Sequence, residues 1–514
     1  MNVSFAEDMR RIDETVEKDY GLPALALMEN AGRRTAEEAG QMIGGAPGKV
    51  FAVFAGGGNN GGDAFAAARH LINMGARVKL FFTGAAESLG EAARAMHDAL
   101  HAMGVEIRPL VSERDWDRLR VSLRFADGIV DGLLGTGVHG ELREPIVRLV
   151  EEINAAGKPV MAIDIPSGVE ADTGQISSAA VHAERTLALG LPKVGHLIGA
   201  GANAAGELLV DDIGIPHVLL SGDELRQSLI TREAAAKLLP ARARDVHKGS
   251  CGRILVLAGS LGMTGAAALA AEAALRIGAG LVTLAVPEKL YPVLAAKMTE
   301  AMVVPVPDEG TGYFGGMKAL EAALSLAQNM DAVLIGPGLG RAQETQKFVQ
   351  DFCAAVKRPL ILDADAIYAF CGKTDAFKGF AFVPILTPHL GEMAHLLELS
   401  VDELRTSLLD MTREAAREYH AVFVVKSECT IIVYPDGQAF LTSKGNSGMA
   451  TAGAGDVLAG AVAGLMKQTA AGLAPLAGVY IHGLAGDLAA KEKGYGLIAS
   501  DILENLPRSL CTLL

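Results

Sequence analysis

Apolar residues along the chain fall into two kinds of pattern. Near the start, Phe5, Met9, Ile12 and Val16 recur at steps of four, three and four, one face of a 3.6-residue period, which predicts a helix. Ser4 and Glu7 stand at capping-box spacing ahead of it. A second helix is expected over 24–41. Short continuous apolar runs follow, separated by Ala-rich helical stretches: residues 50–55, 77–82, 128–130, 160–163 and 186–189. Runs of this length with helices between them predict parallel strands covered on both faces. The alternation fades after Pro216 and resumes at 253–258, 281–286, 332–335, 360–362, 385–386, 422–425 and 430–433. In between, two short helical stretches lead into LPARARDVHKGSCGR, with Arg242, Arg244, Lys248 and Arg253. A boundary is expected near 217–230, giving two α/β domains of unequal size, residues 1–216 and 225–514. No repeat of 20–50 residues is present.

Composition narrows the function. Half of the 514 residues are hydrophobic and 21% are charged, which supplies packed cores and excludes a disordered chain. Lys and Arg number 46 against 60 Asp and Glu, a net charge of −14, so no nucleic-acid partner is expected, since binding a polyanion needs a basic face. The five cysteines, Cys251, Cys353, Cys371, Cys429 and Cys511, are scattered and form no C-x-x-C. They read as reduced thiols of a cytoplasmic protein. The first twenty residues lack an apolar signal core. The most apolar windows, 265–286 and 447–466, are interrupted by Glu272 and Arg276 and by Asp456. They read as buried helices, with no membrane partner.

Four segments of the first domain stand at the carboxyl ends of expected strands, where open α/β sheets bind ligands. They are GGGNNGGD (56–63), DGLLGTGVHGE (131–141), DIPSG (164–168) and, more weakly, LPKVG (191–195). Glycines let a backbone approach a phosphate, and the helix after 56–63 offers free N–H groups and a positive dipole end. The strand 77–82 ends in Thr83-Gly84, without the acidic residue that would hold a ribose in an NAD fingerprint. Redox use of NAD is therefore disfavoured.

LMENAG (27–32), GGGNNGGDAFAAARHL (56–71), DGLLGTG (131–137) and DIPSG (164–168) are together similar to the NAD(P)H-hydrate epimerase domain, in order over residues 1–216. The resemblance implies a Rossmann-like three-layer αβα sandwich that epimerises C6 of hydrated NADH or NADPH. It further implies that Asn59, Asn60, Gly61, Gly62 and Asp63, with Gly135, Thr136, Gly137, Val138, His139, Gly140 and Glu141, embrace the substrate. Asn60, Asp131 and Ser167 would hold a potassium ion, a hard cation suited to oxygen ligands. Asp164 would bind substrate and move the proton, since reversible opening of a hemiaminal needs only a carboxylate shuttle.

The second domain carries TAGAGDVL (451–458), small residues and an Asp at the start of an apolar helix. Backbone N–H groups of Ala452 to Gly455 can form an anion hole there, with Asp456 beside it as base for a hydroxyl. GSLGMTGAA (259–267), GPGLG (336–340) and TPHLGE (387–392) follow other strands, and Lys426 ends 422–425. Taken alone, His389 reads as structural and Lys426 as a solvated strand end. G-x-x-x-x-G-K-[ST] is absent, which excludes ordinary P-loop chemistry. HKGSCGRILVLAGS (247–260), GPGLG, TPHLGE and GNSGMATAGAGDVLAG (445–460) resemble the ribokinase-like, ADP- or ATP-dependent NAD(P)H-hydrate dehydratases over residues 225–514. The resemblance implies a ribokinase-like αβα domain. Ala266, Gly340, His389 and Asp456 would line the hydrate site, and Lys426, Ser427, Glu428, Cys429, Thr430 and Gly455 would bind ADP or ATP. Magnesium would ride on the diphosphate. The family's K-G-x-x-T is here Lys426-Ser427-Glu428-Cys429-Thr430, and its frequent Ser or Thr is Ala454.

The expected protein is thus a bifunctional repair enzyme, an isomerase and lyase acting on hydrated NADH and NADPH with ADP or ATP, and a homo-oligomer. The alternatives are a ribokinase-like small-molecule kinase for a vitamin precursor or sugar, and a first domain that binds a nucleotide-like ligand without turnover.

Overall fold

Apolar runs in the first part of the chain hydrogen-bond side by side into one sheet. The strands are β1 (Val50–Ala55), β2 (Arg77–Phe82), β3 (Ile107–Pro109), β4 (Gly128–Gly132), β5 (Val160–Ile163), β6 (Arg185–Leu189) and β7 (Glu207–Asp211). Their order is β3-β2-β1-β4-β5-β6-β7 and every pairing is parallel. This computed structural model describes residues 1–222, 224–239, 242–470 and 472–514. Positions 223, 240, 241 and 471 lie outside that description, among them Pro240 and Ala241 of the basic stretch. The chain divides into two compact units, the first spanning Asn2–Leu225 and the second Arg226–Leu514.

In the first unit, strands β1 and β4 are buried on both faces because a helical layer covers each. Met28, Phe65, Leu71 and Met96 cover one face, and Trp116, Leu119, Leu149 and Ile153 cover the other. Helix Ala6–Tyr20 buries Met9, Ile12 and Val16 against Ile213 and Ile215. Its cap differs from the expected Ser4–Glu7 box. Asp8 accepts the Phe5 N–H at 3.0 Å, and the Ser4 hydroxyl donates instead to the Pro192 carbonyl. Ser4 is drawn away because its backbone pairs with the 190s loop: its N–H donates to Pro192 O (2.9 Å) and its carbonyl accepts from Val194 N (3.1 Å).

The second unit forms a ten-stranded sheet. Its strands are β8 (Gln227–Leu229), β9 (Arg253–Leu257), β10 (Leu281–Pro287), β11 (Met302–Val306), β12 (Ala332–Ile335), β13 (Leu360–Leu362), β14 (Ile385–Leu386), β15 (Val422–Val425), β16 (Ile431–Val433) and β17 (Ala439–Leu441). The order is β11-β10-β9-β12-β13-β14-β15-β16-β17-β8. β11 to β15 are parallel, whereas β15-β16-β17 are antiparallel, because no helix separates them. The apolar window 265–286 is not one helix. Helix Thr264–Arg276 ends, the chain turns at Gly278 (φ 112°), and β10 begins. Helix Ala454–Leu465 crosses Thr264–Arg276 closely: a Cβ at Gly460 would overlap the Ala270 carbonyl and come within 2.8 Å of Ala273 Cβ. All five cysteines are free thiols. Among the described residues no helix is long and apolar enough to cross a membrane.

Candidate active sites

In the first sheet the chain proceeds outward in opposite directions from β1 and β4, and both Gly-rich turns follow these two strands. Such a switch point leaves a crevice at the carboxyl ends. A cavity of about 940 Å3 opens there, lined by Asn59, Asn60, Asp63, Gly135, Thr136, Gly137, Val138, His139, Glu141 and Asp164. Gly61, Gly62 and Gly140 are not on its wall. At Gly61 a Cβ would overlap the Gly56 carbonyl, and at Gly62 it would strike Met28 at 2.5 Å. These two glycines let helix Asn59–Asn73 start hard against the turn, which aims its free N–H groups at the cavity.

Asp131 and Ser167 lie fully buried. Asp131 accepts from Ser167 N (2.9 Å), Ser167 Oγ (2.7 Å) and Leu133 N (3.2 Å). Burial pushes its carboxyl up, and the donors from Ser167 pull it back. Asn60 donates from Nδ2 to the Leu134 carbonyl at 2.7 Å, while its buried Oδ1 has no partner. An orphaned buried carbonyl oxygen beside an Asp and a Ser is a donor set that fits a hard monovalent cation. Among the described residues no three or more His, Cys, Asp or Glu side chains are arranged to hold a metal ion.

Asp164 sits in the left-handed region (φ 63°), which Asp tolerates better than most residues. Its Oδ1 accepts from Leu189 N (3.1 Å) and from Lys193 Nζ, which also donates to Leu189 O (2.9 Å). Lys193 is 1% exposed. His196 Nδ1 accepts the Lys193 N–H (2.9 Å) and Nε2 faces the Asp164 carbonyl (2.8 Å), so Nε2 carries the proton. Burial and the Lys193 charge push its pKa down to about 4, leaving a neutral ring. Burial, with Asp164 and Asp13 nearby, pushes the Asp63 carboxyl well up against the pull of Lys193. Lys193, His196 and Asp13 carry no role in the sequence reading. LPKVG stood out there as a strand end, but nothing local marks its lysine as the partner of an Asp 29 residues earlier.

In the second unit β9 and β12 mark the corresponding switch point. GPGLG follows β12, and a Cβ at Gly338 would touch Ala266 Cβ at 3.1 Å, which sets Ala266 beside that loop. Gly340 N donates to Asp365 Oδ2 at 2.9 Å. Helix Ala454–Leu465 starts after Gly453 (φ 93°) with Asp456 in its first turn. Lys426 is no solvated strand end: its Nζ meets Asp363 Oδ1 at 2.9 Å and lies 4.0 Å from Glu392 Oε2. Burial opposes the ammonium, but Asp363 and Glu392 outweigh it and raise the pKa. Asp363 is 1% exposed and also takes the Thr387 hydroxyl at 2.6 Å. A Cβ at Gly455 would stand 3.2 Å from Lys426 Nζ, so the cation and the anion loop adjoin. Burial, then Asp363, pushes Asp456 up to about 7 against the pull of Lys426.

The remaining predicted positions divide by exposure. His389 is largely exposed and caps helix Leu390–Leu396, accepting Glu392 N–H at 3.2 Å, while its strand position pairs with Lys426. The Ser427 hydroxyl turns onto the Cys429 carbonyl (2.6 Å). Glu428 is exposed, whereas the Cys429 thiol is buried on the Thr442 carbonyl and pushed up to about 12 by burial. Cys429 therefore offers a ligand its backbone alone. Asn446 anchors the anion loop, donating to Asp487 (3.0 Å) and accepting from Gly448 N (3.0 Å). His482, buried and pushed down to about 4 by burial, faces the Ala454 carbonyl at 3.0 Å. Asp363, Asn446 and His482 carry no role in the sequence reading.

A family described as YjeF-related protein N-terminus matches residues 24–195, and one described as NAD(P)H-hydrate dehydratase matches 254–508. The chain is 39% identical over 505 residues to the bifunctional NAD(P)H-hydrate repair enzyme Nnr of Moorella thermoacetica, covering 98% of this chain and 95% of that protein. The protein of the same name from Escherichia coli is 34% identical over 512 residues, with 98% and 93% covered. Among solved structures, an ADP/ATP-dependent NAD(P)H-hydrate dehydratase from Bacillus subtilis, co-crystallized with ATP/Mg2+, is 30% identical. It covers 56% of this chain and 98% of that one, with a TM-score of 0.49.

Proposed function

The chain belongs to the bifunctional NAD(P)H-hydrate repair enzymes, and on that premise we propose how its residues divide the work. The first unit is the epimerase and the second the dehydratase. The substrates are hydrated NADH and NADPH, small molecules with an anionic diphosphate.

In the first unit, the N–H groups at the start of helix Asn59–Asn73 and the 135–141 turn take the substrate's diphosphate. The hydrate is a hemiaminal at C6. Asp164 accepts its hydroxyl proton as the C6–N1 bond opens, and returns it when the ring closes on the other face. Lys193 and Leu189 N–H hold Oδ1, which fixes the carboxyl at the cavity wall. His196, neutral, ties the Asp164 backbone to the Lys193 backbone. A potassium ion held by Asn60, Asp131 and Ser167 would supply a fixed positive charge under the diphosphate turns.

In the second unit, Ala266, Gly340, His389 and Asp456 line the hydrate site. Lys426, Ser427, Glu428, Cys429 and Thr430 with Gly455 receive ADP or ATP, Cys429 through its backbone. Asp456 removes the proton of the C6 hydroxyl as it attacks the terminal phosphoryl group, and the loop N–H groups hold the transferring charge. The nucleotide leaves one phosphate shorter, AMP from ADP or ADP from ATP; phosphate then departs with the C6 oxygen while the C5 proton passes to solvent, which restores the dihydropyridine. Magnesium bound on the nucleotide phosphates would neutralise their charge, and Asp363, Glu392 and Asp456 are oxygen donors of the kind it takes.

The observation that carries the reading is the pairing, in each unit, of an acidic side chain with a buried lysine beside a glycine-rich strand end: Asp164 with Lys193, and Asp363 with Lys426 next to Asp456. Separated epimers test it. Asp164→Ala should stop exchange of R and S hydrates and leave dehydration of the S form intact. Asp456→Ala should do the reverse. Exchange at the wild-type rate in Asp164→Ala sinks the first assignment.

A further inference from the structure

We propose that Asp13, on helix Ala6–Tyr20, is the second proton carrier of the epimerase site, working opposite Asp164. The proposal rests on the epimerase reading above. Opening a hemiaminal moves two protons: one leaves the C6 hydroxyl as the carbonyl forms, and one reaches N1 as the C6–N1 bond breaks. A single carboxylate does both only by travelling between oxygen and nitrogen within the open state. Two carboxyls do them in place: Asp164 takes the hydroxyl proton while protonated Asp13 gives its own to N1, and both return on closure.

Asp13 lines the same cavity as Asp63, Asp164 and Lys193, from a separate element. Its helix is fastened to the lysine's own loop by the Ser4–Pro192 and Val194–Ser4 hydrogen bonds, and to Asp172 by Ala6 N–H at 2.7 Å. Among the described residues the Asp13 side chain has no hydrogen bond or ion pair, and Asp13 is exposed, open to the cavity's water. Lys193 is already engaged by Asp164 and the Leu189 carbonyl. Three carboxyls thus face one lysine, and like charges so placed do not all ionise. Partial burial, and Asp164, push Asp13 up to about 6 against the pull of Lys193, so half of the molecules carry its proton near pH 6. The same helix also brings Arg10, Glu14 and Glu17 to the cavity, and the segment after β4 brings His139, Glu141, Arg143 and Glu144.

The test is epimer exchange by the full-length protein without nucleotide, followed by chromatography from pH 5.5 to 9, for Asp13→Asn and Asp13→Glu. Dehydration of the S form and the melting curve report folding. Asp13→Asn should lower kcat for exchange by about 100-fold, leave KM within about twofold, and remove the alkaline decline that a required acid imposes. Asp13→Glu should recover part of kcat and restore that decline. Exchange within threefold of wild type and an unchanged pH profile in Asp13→Asn would overturn the proposal. So would equal losses in the Asn and Glu variants, which mark a packing role. If Asp13→Asn does not fold, Asp13→Glu decides: wild-type kcat and an unmoved profile count against the proposal. Wild-type exchange in Asp164→Ala would remove the underlying reading instead, whatever Asp13 does.

Discussion

Replacing Asp456 by Asn should end dehydration and, at the same time, stabilise the second unit by an amount that grows with pH. Burial, with Asp363 beside it, lifts this carboxyl from 3.8 to about 7. A carboxyl raised in the folded state favours folding while both states are protonated, below its unfolded value. The benefit is lost as pH rises through the folded value, because the unfolded chain ionises first. At about 1.4 kcal/mol per pH unit the full cost is about 4.5 kcal/mol. Water at the partly open side, and the favourable first-turn position, reduce it to roughly 2–3 kcal/mol. Asn keeps the shape of the neutral acid at every pH. The variant's gain should therefore climb from under about 1 kcal/mol at pH 4.5 to roughly 2–3 kcal/mol at pH 8.5, then level off. Chemical unfolding of the full-length protein measures this, the second unit's transition being the one ADP or ATP shifts. In the wild type, kcat/KM for dehydration should rise toward the alkaline side with a midpoint near 7 as the base ionises. A pH-independent difference, or a variant less stable at pH 8.5, would show that the Asp456 carboxylate does not destabilise the folded state.

Other sites give separate tests. Gly460→Val places a branched side chain into the Ala270 carbonyl and Ala273. It should cost about 3 kcal/mol, lowering the second transition while epimer exchange persists, and an unmoved transition contradicts the packing. His196, held neutral with its pKa near 4, should show no change in its ring proton shifts between pH 5.5 and 8, and a titration in that range counts against the site as described. Exchanging potassium for tetramethylammonium should lower the melting point of the first unit, and Asn60→Leu should abolish that response. An equal shift in the variant would move the ion elsewhere.

The central strands were legible because each is a continuous apolar run, buried on both faces. Five edge or near-edge strands were not. β3 (Ile-Arg-Pro) and β8 (Gln-Ser-Leu) contain no apolar run, β17 is a run of three at the sheet's rim, β7 is buried on neither face along its length, and β11 is interrupted by Pro305. The helix start was misread because Ser4, an apt cap by type, is taken by pairing with the 190s loop, and Asp8 closes the turn instead. Glycine turns and strand-end aspartates announce a site, since their neighbours in sequence are also their neighbours in space. The lysines do not. Lys193 finds Asp164 across 29 residues, and Lys426 finds Asp363 across 63, each at the end of a different strand. Asp13 reads as one polar position on an amphipathic helix until the fold sets it on the cavity wall.

One chain restores both epimers of the hydrated cofactor through two sites. The direct measurement is the fraction of a mixed R and S hydrate preparation converted to NADH, followed by NADH absorbance, with the full-length protein, magnesium and either ADP or ATP. Conversion should approach completeness in the wild type and stop at the S fraction in Asp164→Ala. No conversion with either nucleotide would rule out the dehydratase site, and a wild-type plateau at the S fraction would rule out the epimerase site.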